Sequence, residues 1–532
     1  MAIPAGNDVY IVSDMHLSEG WLPEQQRYSR LETFFYDGEF RNFVRAIIAN
    51  SRARDSRATV VLNGDVFDFL AIVRVPNETT LDERGLQISG VEREFGLGTT
   101  EDKAIWKMER ILAGHARFVL ALAELVAAGH YLVVIRGNHD AELFWPGVQA
   151  EFRRAIVEKA TEHGLMLRLE TLDERMVFHQ WFYYEPGRFY LEHGNQYEAS
   201  NAFRYVLNPV LPPEYHPRRQ MMLDYPMGSL FVRFLYNKMK LLDPFTTHFV
   251  TLEQYIRITY HHNFMDLFRT GTLHFPYFFR AIREARVFEE QGMAPVKQAH
   301  DEAMATLAEE SGVGDKIEEL QSLMSRPVGT TKYNVLKQML RPVVRGGFTF
   351  LGITLASVLS WFYIFSLIQD SHWLSQGVLG KASLLAILAV VTVVGLFLGF
   401  SFVNRALHRS PDPTTGAMFS AAERISKLLG VPLVSMGHTH GVDLRPFEHD
   451  GYYSNSGTWI PHPGPWDTLT SKARQFTFVQ IRGDEMQIRR WNDPANRWES
   501  VPLLEDYRPT TLERLLSEDS HPKESPRVSD ET

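Results

Sequence analysis

The chain contains no cysteine. That excludes disulfide staples and zinc–thiolate sites, so any metal must be held by His, Asp, Glu or Asn, and it fits a catalytic domain in the cytosol. Nor is there an excess of positive charge: 55 Lys and Arg against 64 Asp and Glu give a net charge of −9, with an isoelectric point near 6.1. A general nucleic-acid binder needs a basic field over much of its surface, so no nucleic acid is expected as a partner. Met1 to Asp8 lack a basic stretch followed by an apolar run, so no cleaved secretory signal is expected. Apolar residues are plentiful, 45% of 532. That suffices for a catalytic domain plus one substantial addition.

From Asp8 to Gly194, short apolar runs alternate with amphipathic stretches. Val9 to Val12, Thr59 to Leu62, Tyr131 to Ile135 and Phe189 to Leu191 read as buried strands, each stopped by a polar or glycine-containing turn. Phe40, Phe43, Val44, Ile47 and Ile48 fall at helical spacing, as do Ile105, Met108, Ile111 and Leu112. The pattern resumes after about residue 415. A helix over Ala417 to Leu429 stops at Gly430, Pro432 to Met436 is a strand, and the runs at Tyr452-Tyr453, Phe476 to Ile481 and Met486 to Ile488 read as closing strands of a second sheet. The expected fold class is α/β, a layered β-sheet sandwich flanked by helices. Its parts are 1–197 and 404–510 as the catalytic domain, 198–345 as an inserted helical lid or interfacial region, 346–403 as a two-helix transmembrane hairpin, and 511–532 as a disordered tail rich in Ser, Pro, Glu and Asp.

The hairpin rests on a second absence. Gly346 to Ile368 and Ala382 to Val403 carry no charge, and each is long enough as a helix to cross about 30 Å of hydrocarbon. Core helices of that length almost always show a polar stripe, which neither segment has. Lys332, Lys337, Arg341 and Arg345 precede the first span, and Arg405 and Arg409 follow the second. The connecting loop offers only Lys381, with Asp370 and His372, which places both ends in the cytoplasm. Upstream, Leu230, Phe231, Phe234, Leu235, Leu241 and Leu242 share a stretch with Arg233, Lys238 and Lys240. That pattern fits either an interfacial helix or one packed on the catalytic domain.

Five blocks at the ends of apolar strands supply hard metal ligands: Asp14-Met15-His16, Gly64-Asp65-Val66-Phe67-Asp68, Gly137-Asn138-His139-Asp140, His193-Gly194 and Gly437-His438-Thr439-His440. Strand ends on one sheet edge converge, and the crevice there is where open α/β sheets bind ligands. Carboxylate, imidazole and amide oxygen suit divalent manganese, iron, zinc or magnesium.

In this order the five blocks resemble the signature of the calcineurin-like metallophosphoesterase superfamily, over roughly Asp8 to Glu198 and Ala417 to Trp491. The resemblance implies two divalent cations, most simply Mn2+. Asp14, His16 and His440 would hold one, Asn138, His193 and His438 the other, and Asp65 would bridge them. A hydroxide between the metals would attack phosphorus, with His139 donating a proton to the leaving group and Asp68 holding its imidazole. Asp140 and Arg136 read equally as supporting partners or turn residues. Isolated histidines are discounted: His261-His262 lack ligand spacing, and His115, His130 and His163 sit in helix or helix-end contexts that a polar cap or solvated face explains. Arg204, Arg218 and Arg219 could hold a phosphate head group, with surface charge as the plainer reading.

The inserted lid narrows the resemblance toward the UDP-2,3-diacylglucosamine pyrophosphatases, a branch that holds acyl chains at a membrane. Two positions depart from that branch, His139 where it typically has Arg and Asn195 where it typically has Asp. The expected function is hydrolysis of a phosphomonoester, phosphodiester or pyrophosphate on a lipid-linked or membrane-associated substrate, by an enzyme set in the bilayer. The alternatives are an anchored phosphatase of a soluble ester and a non-catalytic membrane scaffold.

Overall fold

The computed structural model describes residues 3–213, 220–238, 273–281, 293–325, scattered positions between 352 and 389, 413–460, 475–483 and 485–501. Four strands, Asp8–Val12, Ala58–Asn63, Tyr131–Ile135 and Met176–His179, lie side by side and parallel. Successive side chains in a strand point to opposite faces, so each parity must find its own cover. Tyr10, Val12, Val60, Leu62, Leu132 and Val134 pack on a helical layer. That layer includes helix Asp37–Ala53, whose Phe40, Phe43, Val44 and Ile47 recur at the helical period, and helix Ala116–Ala127. Asp37 and Glu39 in the first turn and Arg52 in the last complement the dipole of Asp37–Ala53. Truncating a fully buried ring here, such as Phe43, would cost ~3–5 kcal/mol.

The other parity, Val9, Ile11, Val61, Val133 and Ile135, meets Phe189, Leu191 and Leu433 of a second sheet. That sheet has five strands in the order Asp443–Pro446, Tyr452–Asn455, Leu433–Met436, Phe189–Glu192, Phe182–Glu185. Its outer face, Tyr190, Val434, Met436 and Tyr453, is covered by Met418, Ala422 and Ile425 of helix Pro413–Leu429 and by Leu320 of helix Lys316–Leu323. Two sheets face each other with a helical layer outside each, a mixed α/β architecture. Helix Pro413–Leu429 ends at Gly430, whose φ of +70° costs an L side chain most and glycine least.

The closing strands correct one expectation. Thr477–Arg482 and Glu485–Asn492 do not extend the second sheet but return to the first, where Thr477–Arg482 pairs antiparallel with Asp8–Val12 and sets Ile481 opposite Val9. Val479 and Ile481 thereby join the seam between the sheets, while Phe478 joins the helical face. Local alternation defines a strand and its two faces but not its neighbour.

Of the amphipathic stretch near 230, helix Met227–Phe234 is described, and it packs on the α/β domain. Met227, Phe234 and Leu235 cluster with Phe95 and Phe278, and Arg233 Nη2 donates to Gly96 O at 2.8 Å. The expected transmembrane hairpin falls outside the described residues save for scattered positions, as do its basic flanks, Arg218, Arg219, His261, His262 and the expected disordered tail. Among the described residues no helix is long and apolar enough to cross a membrane. At the positions described between 352 and 366 the backbone is helical, and Leu355, Val358, Leu359, Phe362 and Tyr363 are exposed. Their spacing puts them on one helical face.

Candidate metal centre

The strands that carry the five blocks end level with one another. Val12 pairs with Leu62, Leu62 with Val134, and Asn63 with Ile135. In the second sheet Ser435 pairs with Leu191. The turns that follow therefore meet at one edge, where they interlock through the backbone. Asp14 N donates to Gly64 O, Met15 N and His16 N both to Asp65 O, and Gly437 N to His193 O, at 2.9–3.1 Å.

The conformations of these turns are costly. Nine non-glycine residues have positive φ among the described residues, and five of them are Asp14, His16, Asp65, His438 and His440. A non-glycine residue in the left-handed region costs of order 1 kcal/mol or more, and such residues persist where a site over-determines them. Close packing forces glycine beside them. A Cβ on Gly64 would fall 2.5 Å from the His193 ring, and one on Gly437 would fall 2.6 Å from Asp14 Oδ2.

The side chains converge in overlapping groups. Asp14, His16 and His440 have ligand atoms within 4.8 Å of one another, as do Asp65, His193 and His438, and also His16, Asp65 and His139. His440 Nε2 lies 3.0 Å from Asp14 Oδ1 and 3.2 Å from His16 Nε2. His193 gives its Nδ1 hydrogen to Asn63 O at 3.0 Å, which turns Nε2 toward Asp65 Oδ2 at 3.1 Å. Asp65 Oδ1 accepts the His139 N–H at 2.7 Å. Asn138 is buried, and its Oδ1 has no hydrogen-bond partner among the described residues. A buried amide oxygen left without a partner costs about 1–3 kcal/mol. A cation would satisfy it. Convergent imidazole nitrogens, two carboxylates and an orphaned amide oxygen fit hard divalent cations, and no sulfur competes.

His139, which shares the third group, has a partner outside the three groups. Its Nδ1 is 3.2 Å from Asp68 Oδ2, which also lies 3.7 Å from His16 Nδ1. The His139 side chain is 13% exposed, against 0% for His16 and 1% for His193, so it is the imidazole nearest to solvent.

Electrostatics follow from crowding in a dry site. Burial works against the charge of Asp14, Asp65 and Asp68, yet their histidine neighbours override it and hold all three carboxyls below the usual range. Burial likewise disfavours imidazolium, but Asp68 and Asp65 raise His139 to about 9, and Asp65 raises His193 to about 10. His440, where burial outweighs Asp14, falls to about 4.

Asp140 and Arg136 have supporting positions. Asp140 accepts Gly137 N at 2.6 Å and Val66 N at 2.9 Å, clamping two of the turns, and burial and Asp65 push its carboxyl up to about 7. Arg136 points to the protein interior, donating to Gln180 O and Val206 O with its guanidinium 4.8 Å from the Phe203 ring centroid. Arg204 lies 3.8 Å from Asp224. His130 Nδ1 accepts from Ala58 N, and His163 caps its own helix through Lys159 O. His115 departs from the solvated or capping reading: it is buried, with Nε2 3.2 Å from Glu32 Oε2 and Nδ1 3.0 Å from Asp37 Oδ2.

Two contributors have no motif signal. Ser13 Oγ donates to Asp14 Oδ2. Glu198 Oε2 lies 2.8 Å from His438 Nε2, and although burial opposes its charge, His438 brings its carboxyl down to about 2. Its place five residues after His193 marks nothing in sequence, because only the turn 195–201 brings it back to the site. No family model, no curated protein and no solved structure matches the chain.

Proposed function

We propose that the chain is a metal-dependent phosphoesterase, with Asp14, His16 and His440 holding one divalent cation, Asn138, His193 and His438 a second, and Asp65 between them. The observation that carries this reading is the grouping of Asp14, His16, Asp65, His193, His438 and His440 from four strand-end turns, five of these residues on left-handed backbone, with the buried, unpartnered amide oxygen of Asn138 in the fifth turn. A structural cluster of ion pairs would not require that strain. When bound, such cations lower the pKa of an attacking water and offset charge on the phosphoryl group.

The chain's own residues supply the rest. Asp65, clamped by the His139 N–H and by the turns at 14–16, sets the spacing of the two positions. Asp68 orients His139 through Nδ1 and favours its imidazolium, so the other ring nitrogen can carry the proton that a leaving oxygen needs. Two unlike neighbours thus divide acid and ligand duties among similar side chains.

The substrate we favour is a phosphate ester or pyrophosphate carried on a lipid. Its support is the uncharged pair of spans and the exposed apolar face of Leu355, Val358, Leu359, Phe362 and Tyr363, a patch of a kind that marks membrane or partner contact. The deciding experiment loads detergent-purified protein with Mn2+ and measures metal content and turnover on lipid-linked and soluble phosphoesters, wild type beside Asp65→Asn. The variant should lose at least one cation and nearly all turnover. Full activity with both cations retained would refute the assignment.

A further inference from the structure

Both arms of the inserted region converge on one short turn beside the metal centre, at residues 195–201. From helix Met227–Phe234, Gly228 N donates to Ser200 O at 2.9 Å. From the end of the second arm, Ser325 donates its N–H to Gln196 O at 2.8 Å and its Oγ to Tyr197 O at 2.7 Å. Asn195 Nδ2 closes the turn on Asn201 O at 2.9 Å.

What this turn presents is a fixed carboxylate. Glu198 Oε1 accepts Ser200 Oγ at 2.5 Å, and Oε2 accepts Asn201 Nδ2 at 2.9 Å. The same Oε2 meets His438 Nε2 at 2.8 Å. An ionised carboxylate only accepts, so Nε2 carries the hydrogen. That leaves Nδ1 with its lone pair, the ligand face of the ring. A histidine that gives one N–H to a carboxylate has its tautomer and orientation set, and is a more basic ligand through the other nitrogen. His438 has little freedom otherwise: its backbone N donates to Asp14 Oδ2 at 3.0 Å, and its side chain is 6% exposed.

Resting on the two-metal reading above, we propose that Glu198 is a positioning residue of the centre, which fixes His438 with Nδ1 turned to the cation shared with Asp65 and His193 and which is itself held by the insertion's grip on its turn. The insertion would then act on the site itself. It sets the occupancy of one of the two metal positions.

The test is a Mn2+ titration of full-length, detergent-purified, metal-stripped protein, followed by calorimetry and by the electron paramagnetic resonance of the bound ion. Wild type should show two sites. Glu198→Ala should weaken one of them by about 10- to 100-fold and leave the other unchanged. Glu198→Gln, whose amide oxygen can accept the same N–H, should restore most of that loss. Gly228→Ala, whose Cβ would fall 2.1 Å from Asn201 Oδ1, should weaken the same site through the turn, and it provides the readout if Glu198→Ala fails to fold. A thermal midpoint measured without metal separates these effects from a general loss of stability. Unchanged affinity in Glu198→Ala, equal weakening of both sites, or no rescue by Gln would overturn the proposal while leaving two metal positions standing. A wild type that binds no Mn2+ would overturn both.

Discussion

Gly137→Ala adds a single methyl group, and the structure says where it goes. A Cβ at Gly137 falls 2.2 Å from Asp65 Oδ1, 2.6 Å from Asp65 N and 2.9 Å from Asp65 Cγ. Comfortable contacts between non-bonded heavy atoms lie at about 3.5–4.0 Å, so one of the two groups must move by more than ~1 Å. Neither is loose. Asp65 O receives Met15 N and His16 N, Asp65 Oδ1 receives His139 N, and Gly137 N is fixed to Asp140 Oδ1 at 2.6 Å. Overpacking of this kind costs ~1–3 kcal/mol of stability. A displacement of about 1 Å in a reacting constellation costs of order 100-fold in rate. The expected outcome is a lower urea midpoint, metal content below that of wild type, and turnover of an aryl phosphate down by roughly 100-fold or more. Gly38→Ala is the matched control: its Cβ meets nothing within 4 Å, and it lies in helix Asp37–Ala53, so it should be neutral or stabilising by up to ~1 kcal/mol. Gly137→Ala with both cations and wild-type turnover would show that Asp65 is free to shift, and would refute a carboxylate clamped between two metal positions.

Other expectations separate the roles within the site and the fold. His139→Ala should keep both metals while lowering turnover by roughly 100- to 10,000-fold on esters with poor leaving groups and less on an activated aryl phosphate; equal losses on both substrates would give His139 a structural role. Replacing residues 346–403 by a short polar linker should release the protein from membranes, preserve turnover of a soluble ester and depress that of a lipid-linked one; full-length protein that is soluble without detergent would refute the membrane reading. For His115, burial opposes the imidazolium, but Glu32 and Asp37 raise its pKa from the ordinary 6.5 to about 10. A raised folded-state pKa stabilises fully below the unfolded value, so this contribution should be complete below pH ~6.5 and decay toward pH ~10, by at most ~1.4 kcal/mol per pH unit. Urea midpoints of wild type across that range should fall more steeply than those of His115→Gln, and a flat wild-type profile would contradict the buried ion triad.

The strands that carry the site are legible because each is a short apolar run with an abrupt polar stop, a pattern that depends only on neighbours in sequence. Tyr131–Ile135 matches its run residue for residue, and Asp37–Ala53 covers the spacing of Phe40, Phe43, Val44 and Ile47. What is not legible depends on contacts between distant parts of the chain. The pairing of Thr477–Arg482 with Asp8–Val12 joins segments far apart in the chain, and no periodicity of either strand names its partner. His115 looks like the end of one helix and the start of the next, and only the fold supplies Glu32 and Asp37. The metal-ligand candidates Asp14, Asp65 and His193 are visible because their chemistry is unusual after a strand. Glu198 is an ordinary surface-type residue until the turn 195–201 carries it to His438.

The division between rigid sheet and strained turn also explains how the side chains of the site are brought together. The seam of Val9, Ile11, Val61, Val133, Ile135, Phe189, Leu191 and Leu433 fixes where the strands end, independently of any ion. The turns beyond them pack several carboxylates into a dry space, which would be untenable with the charges left bare. Two devices offset that crowding. Backbone bonds such as His16 N to Asp65 O and Gly437 N to His193 O hold the left-handed conformations. The imidazoles of His139 and His193, whose pKa values Asp68 and Asp65 raise, lie against those carboxylates and offset their charge. A cation that takes the Nε2 of His193 must expel a proton from it. On the two-metal proposal, loading would therefore be coupled to proton release and so would depend on pH. His139 differs in that Asp68, which is not among the proposed ligands, holds its ring, so on that proposal one group of similar side chains would serve as both cage and acid.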